Sequence, residues 1–220
     1  MEPFYNLSLD INKEVHSSAG IYDSLRKMVK GQIIEDYACD GCNQKVNITQ
    51  RVLLADMPNV LIVHLKRIVF CFDTLQNDKV NSRFEFPNVI DLKDYSFKEA
   101  MKDAEGLAEE LKALREVHDD DYVYRLVGVN VHLGTADHGH YYSIINIRRG
   151  TEEPQGDENE AKWRKVEADP WKVFDDATVK SFSFVSDMKN EAFGGAGESS
   201  SKTSDAMSDK ELTAFLASGS

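Results

Sequence analysis

Gly139-His-Tyr-Tyr142 and, further along, Trp171-Lys-Val-Phe-Asp-Asp176 are the two stretches that decide how this chain is read. The first sets His140 among small and aromatic residues. The second ends an aromatic run on an acidic pair, Asp175 and Asp176. A Cys-His-Asp hydrolase needs such a set, because the imidazole takes a proton from a thiol while a carboxylate on its other nitrogen fixes the tautomer and steadies the imidazolium. Separation in sequence is expected, since only the fold brings base and acid together. His138 is the rival base. The three cysteines, at 39, 42 and 71, stand in none of the settings that activate a thiol. Cys71 lies between Phe70 and Phe72, an apolar neighbourhood expected to keep the proton on sulfur. The constellation is a base and its acid without a convincing nucleophile.

The rest of the composition narrows the class of protein. A length of 220 residues with 41% hydrophobic content suits one domain, or a large part of one, with enough apolar surface for a core. A net charge of −12 with no run of Lys or Arg argues against a nucleic-acid surface and for a basic protein or peptide partner. Few cysteines, two of them in the C-x-x-C of Cys39 and Cys42, point to a reducing compartment, the cytosol or nucleus, rather than a disulfide framework. No apolar run approaches the roughly 20 residues of a membrane span, and no secretory leader is evident.

Working outward from the two motifs, the pattern predicts mostly strands. Positions 4 to 11 alternate like a strand with no earlier element to pair with. Ser17 or Ser18 is the candidate cap of a helix bearing Ile21, Leu25, Met28 and Val29, stopped by Gly31. Extended segments flank the C-x-x-C turn, the second at 52 to 54. Positions 59 to 69 read as a central strand, with Leu61, Val63 and Leu65 facing one way and Ile62, His64 and Lys66 the other. An acidic amphipathic helix is expected over 99 to 117, then strands at 122–131, 141–148 and 171–174, the last two separated by a Glu/Gly/Asn-rich loop over 149–162. The Ser/Gly-rich stretch 196–220 is expected to be a disordered tail.

Five segments in order, Tyr37-Ala-Cys-Asp-Gly-Cys42, Leu61-Ile-Val-His-Leu-Lys-Arg67, Asn81-Ser-Arg-Phe-Glu-Phe-Pro87, Gly139-His-Tyr-Tyr-Ser143 and Trp171-Lys-Val-Phe-Asp-Asp176, resemble the C-terminal, His-box part of a ubiquitin-specific protease catalytic domain. The resemblance covers about residues 4 to 195, and Phe193-Gly-Gly195 is similar to the large fat-facets-type members. It implies an α+β, papain-like fold, here the palm and part of the fingers over 1–195, without the thumb and its Cys box. It also implies deubiquitination, the thiol-dependent hydrolysis of the bond after ubiquitin's C-terminal glycine, with ubiquitin and ubiquitinated proteins as partners.

Carried over residue by residue, the resemblance makes His140 the base and Asp175 its orienting acid, with Asp176 as a backbone-amide acceptor or an aid to the imidazole or attacking water. Phe84 and Phe86 in the palm, His138 in the loop 134–139, and Tyr141 would flank ubiquitin's tail. Strand core is the competing reading for the two phenylalanines. Catalysis would need no cofactor, while Cys39 and Cys42 would supply half of a four-thiolate zinc site. The family's nucleophile and oxyanion donor lie upstream of the residues matched here, so the chain is expected to be inactive alone and to need an N-terminal portion. A non-catalytic ubiquitin-binding remnant or scaffold, and a zinc-ribbon interaction module, are the alternatives.

Overall fold

The alternation of Leu61, Val63 and Leu65, each no more than 2% exposed, builds strand β4 (Val60–Lys66) into the middle of the structure. In this computed structural model residues 2–11, 20–102, 118–147, 170–194 and 210–218 are described. The main sheet has eight strands. β1 (Leu7–Asp10) runs parallel to β4, and the opposite edge of β4 pairs with β12 (Lys210–Ser218). β8 (Val123–Gly134), β9 (Gly139–Asn146), β10 (Trp171–Asp175) and β11 (Thr178–Phe182) continue beyond β12 as antiparallel neighbours. β7 (Val89–Asp91) adds to β8. Two ribbons stand apart from this sheet: β2 (Gln32–Cys39) with β3 (Gln44–Gln50), and β5 (Ile68–Cys71) with β6 (Gln76–Lys79). Among the described residues the α-helices are α1 (Ile21–Lys30), the short α2 (Phe97–Ala100) and α3 (Phe184–Glu191). The α+β class expected from the sequence holds. Among the described residues no helix is long and apolar enough to cross a membrane.

Several boundaries differ from expectation for identifiable reasons. β1 does have a partner, β4. Helix α1 begins after Gly20, whose N–H donates to Asp23 Oδ2 at 3.1 Å, so the cap comes from within the first turn; Ser17 and Ser18 lie outside the described residues. Gly31 does stop it, at φ +75°, where a Cβ would meet Gln50 O at 2.3 Å. The strand after the C-x-x-C turn spans Gln44–Gln50 rather than 52–54. The long strand expected over 59–69 breaks at Arg67, where the side chain is needed inside. Of the acidic helix expected over 99 to 117, residues 103–117 lie outside the described residues, as does the loop 149–162; before them the short α2, capped by Ser96 Oγ accepting from Glu99 N at 3.2 Å, ends at Ala100.

The largest correction concerns the tail. Residues 210–218 form β12, paired with both β4 and β8, so the expectation of disorder over 196–220 fails there. The Ser/Gly-rich composition stops short of Leu212-Thr-Ala-Phe-Leu-Ala217, and β4 and β8 offer this segment two sets of unpaired backbone groups.

Arg67 is the only fully buried charged side chain among the described residues. Its Nη1 donates to Val80 O at 2.9 Å and Ser82 O at 2.8 Å, and Nη2 donates to Phe193 O at 3.3 Å. A planar fork with several donors suits three carbonyls converging from two segments. Arg67→Ala is expected to lower unfolding free energy by about 3 kcal/mol or more, because it strands buried acceptors and leaves a cavity. Arg67→Lys should restore only part of that loss, and urea unfolding of the three proteins measures both. Equal midpoints would show the guanidinium to be dispensable.

Candidate active site

The hairpin between β8 and β9 presents the base. Leu133 pairs with His140 and Gly134 with Gly139, and Thr135 N donates to His138 O at 2.8 Å, closing a tight turn. Gly134 sits at φ +114°, where a Cβ would meet His138 O at 2.4 Å, so the turn requires glycine there. On the other side β10 pairs with β9 so that Val173 lies opposite Ile144. Alternation then puts Asp175 on the face that carries His140 and Tyr142.

His140 Nε2 lies 2.5 Å from Asp175 Oδ1. A carboxylate only accepts, so the neutral ring carries its proton on Nε2 and keeps Nδ1 for the proton of a nucleophile. The hydrogen bond to Asp175 is the main cause that raises the His140 pKa above its ordinary value; desolvation opposes it, and the charges of Asp176 and Asp175 add to it. Asp176 Oδ2 is 4.0 Å from Nε2, too far for a hydrogen bond. Its residue occupies the turn between β10 and β11 at φ +47°. These three side chains hold ligand-capable atoms within 4.8 Å of one another. A cation there would displace the bond that orients the ring, and the 2.5 Å contact is that of a hydrogen-bonded base.

Other expected residues divide. His138 is exposed in the turn, where its N–H donates to Thr135 Oγ1 at 3.3 Å. Tyr141 is exposed and stacks on His132, with ring centroids 4.4 Å apart. Phe84 and Phe86 are corrected to core residues. Phe84 is fully buried with its N–H on Phe193 O at 2.7 Å, and the Phe86 ring packs edge-on against Phe193 at 4.8 Å. Neither has surface left for a ligand. On the dyad's face a cleft of about 460 Å³, lined by Leu133, Tyr142, Val173, Asp175, Phe182 and Glu191 among others, opens beside the acid. Tyr142 donates to Glu191 Oε2 at 2.9 Å, and burial, with Glu191 beside it, raises its pKa far above the usual range. Glu191 borders the cleft, while His132, with Lys79 beside it, lies on the other face of the sheet. A histidine two residues before a turn glycine is the sequence signal for His132, and nothing local marks the other two.

The thiols behave differently from expectation. At Cys71 the Thr74 hydroxyl, then the N–H groups of Thr74 and Asp73, lower the pKa, so the turn outweighs the neighbouring rings. Phe70 and Phe72 pack against each other and stay exposed, and the desolvation that opposes the shift is outweighed by the turn's hydrogen bonds. Cys39 is likewise shifted down, by the N–H groups of Cys42 and Gly41 and by the Cys42 thiol. That knuckle favours thiolate, as a metal ligand requires, but among the described residues no third His, Cys, Asp or Glu joins the pair. No cysteine joins His140 and Asp175 there either.

Comparison with known proteins bears on what this geometry serves. The profile of the family described as ubiquitin carboxyl-terminal hydrolase matches residues 4–202. Ubiquitin carboxyl-terminal hydrolase 9X of Mus musculus is 33% identical over 197 residues, covering 84% of this chain and 7% of that protein. Ubiquitin carboxyl-terminal hydrolase 34 of Homo sapiens is 33% identical over 217 residues, covering 95% and 6%. The probable ubiquitin carboxyl-terminal hydrolase FAF of Drosophila melanogaster is 33% identical over 199 residues, covering 88% and 6%. The chain therefore spans only a small part of these relatives. Among solved structures, the SAGA Ubp8/Sgf11/Sus1/Sgf73 DUB module bound to ubiquitin aldehyde matches with a TM-score of 0.61 at 21% identity, covering 99% of this chain and 36% of that one. A monoubiquitin-bound form of the module gives 0.63 at 23%, covering 100% and 36%. The fold is shared with them.

Asp175→Asn should lower the His140 titration midpoint, read by NMR of the imidazole, because the main cause of its upward shift is lost. By linkage, a raised native pKa stabilises the fold below the ordinary histidine value, and that contribution fades as pH rises through the raised value. The wild type should show this fade and the variant should not. An unchanged midpoint would remove Asp175 as the orienting acid.

Proposed function

The chain belongs to the ubiquitin carboxyl-terminal hydrolase family, and from that membership we propose that it supplies the His140–Asp175 half of a Cys-His-Asp site. The reaction is hydrolysis of the bond after ubiquitin's C-terminal glycine. The observation that carries this reading is the bond from His140 Nε2 to Asp175, which leaves Nδ1 for a thiol proton.

In this reading the nucleophilic cysteine and oxyanion donor are supplied by an N-terminal portion outside this sequence. With that portion in place, His140 takes the thiol proton, and the thiolate attacks the carbonyl carbon of the terminal glycine. The imidazolium, steadied by Asp175, then gives the proton to the leaving amine. Water, deprotonated by the same ring, releases the acyl group. Asp176 adds negative charge near the ring. His138 and Tyr141, both exposed beside the base, are the residues of this chain offered to ubiquitin's basic tail, and the net charge of −12 suits that partner. Cys39 and Cys42 would hold one half of a structural zinc, whose role is to pin the tip of the β2–β3 ribbon. Exposed and half-buried free thiols suit a cytosolic or nuclear setting. The absence of a cysteine beside His140 among the described residues favours a second reading, a ubiquitin-binding scaffold without turnover.

Two experiments decide these points. Joined to its N-terminal portion, the chain should cleave a ubiquitin C-terminal fluorogenic amide, and His140→Ala should lower kcat by about 10³-fold or more while ubiquitin affinity is kept. His138→Ala should act mainly on KM. Binding without turnover in the joined protein would establish the scaffold reading. For the metal, the chain alone should hold zinc weakly and the joined protein one zinc tightly, lost in Cys39→Ser; tight binding by the chain alone would contradict the half-site.

A further inference from the structure

We propose that Lys79 is a positioning residue for the His140 imidazole, acting through the His132 ring and the turn that leads into β9; this deepens the catalytic reading given above. Lys79, the last residue of β6, is half-buried, and its ammonium reaches β8 from a different ribbon. It donates to Gly134 O at 2.8 Å and His132 O at 3.2 Å, and lies 3.2 Å from His132 Nδ1. An ammonium has only donors, so Nδ1 accepts and the His132 proton sits on Nε2.

The His132 ring, only 4% exposed, is thereby a fixed floor beneath the two neighbours of the base. On one side Gly139 lies so close that an added Cβ would stand 2.0 Å from His132 Nε2. On the other, Tyr141 stacks on the ring face at 4.4 Å and 26°. His140 is thus held between two residues that both rest on one clamped ring. Its own side chain points to the opposite face, toward Asp175. Lys79 also ties down the carbonyl of Gly134, the residue paired with Gly139 across the turn. Ring and turn therefore share one cation as their anchor. Freed from it, the β8–β9 turn could rotate the His140 peptide by the small angle that breaks a short, directional hydrogen bond.

The test uses the chain itself and needs no turnover, so it stands or falls separately from the deubiquitinase reading. Lys79→Met should shift the His140 imidazole NMR signals away from those of the Asp175-bonded ring, lower its titration midpoint, and speed hydrogen exchange at the amides of Thr135 and His138. The direction discriminates. A lowered midpoint reports a weakened Asp175 bond, the main cause of the upward shift, whereas a merely structural role for Lys79 leaves the midpoint where it is. Lys79→Arg, which keeps a charged donor, should restore most of the wild-type signals. If Lys79→Met does not fold, Lys79→Gln is read in the same way. In the joined, active protein kcat should fall with KM little changed. A raised or unchanged midpoint with unaltered exchange would overturn the proposal.

Discussion

A guanidinium buried away from water dictates much of this architecture. Arg67 must satisfy its charge from within, and it does so on the carbonyls of Val80 and Ser82 in one segment and of Phe193 in another, 126 residues along from Arg67. Turning the side chain inward ends β4 and throws the β5–β6 ribbon off the main sheet. The same contact draws the segment after α3 against Phe84 and Phe86, where Arg83 lies 5.2 Å over the Phe193 ring. Gly194, at φ +70°, passes so near that a Cβ would lie 3.1 Å from Nη2. The ribbon's placement is what brings Lys79 within reach of β8.

The catalytic candidates depend on the sheet but give little back to it. The His140–Asp175 pair is partly exposed, each side chain 44% accessible, and a solvated ion pair contributes little to stability. Its precision comes from the registers of β8, β9 and β10 and from the glycines that let the β8–β9 turn close. A base on a strand paired with β8 at its own position has fewer motions open to it than one on a free loop.

Where chemistry and local pattern coincide, the sequence was readable. The alternation of Leu61 to Lys66 and the stop at Gly31 follow from spacing and residue type, while the choice of His140 and Asp175 over His138 and Asp176 is what the family resemblance implies. Phe84 and Phe86 were not readable as core or contact, because an aromatic in a short alternating stretch has the same pattern in either role; only the packing of Phe193 separates them. The thiol of Cys71 was misjudged from its neighbours in sequence, since turn donors and not adjacent rings surround the sulfur. Lys79 was invisible for a related reason, and His132 was marked only by its turn glycine: their contact spans 53 residues. β12 was lost to its Ser/Gly-rich surroundings, although its own residues are strand formers.

The position of β12 sets the order in which the molecule can be completed. It lies between β4 and β8 yet is made after both, so a growing chain carries two long open strand edges until residues 210–218 leave the ribosome. β8 to β11 can zip together as each is synthesised, because their pairings are between neighbours in sequence. The join to the β1–β4 half cannot, and its distant pairing is entropically slow. Until then the exposed edges of β4 and β8 are open to any other strand, including those of sibling chains on the same message. Quality control of this fold therefore rests on its last nine-residue strand.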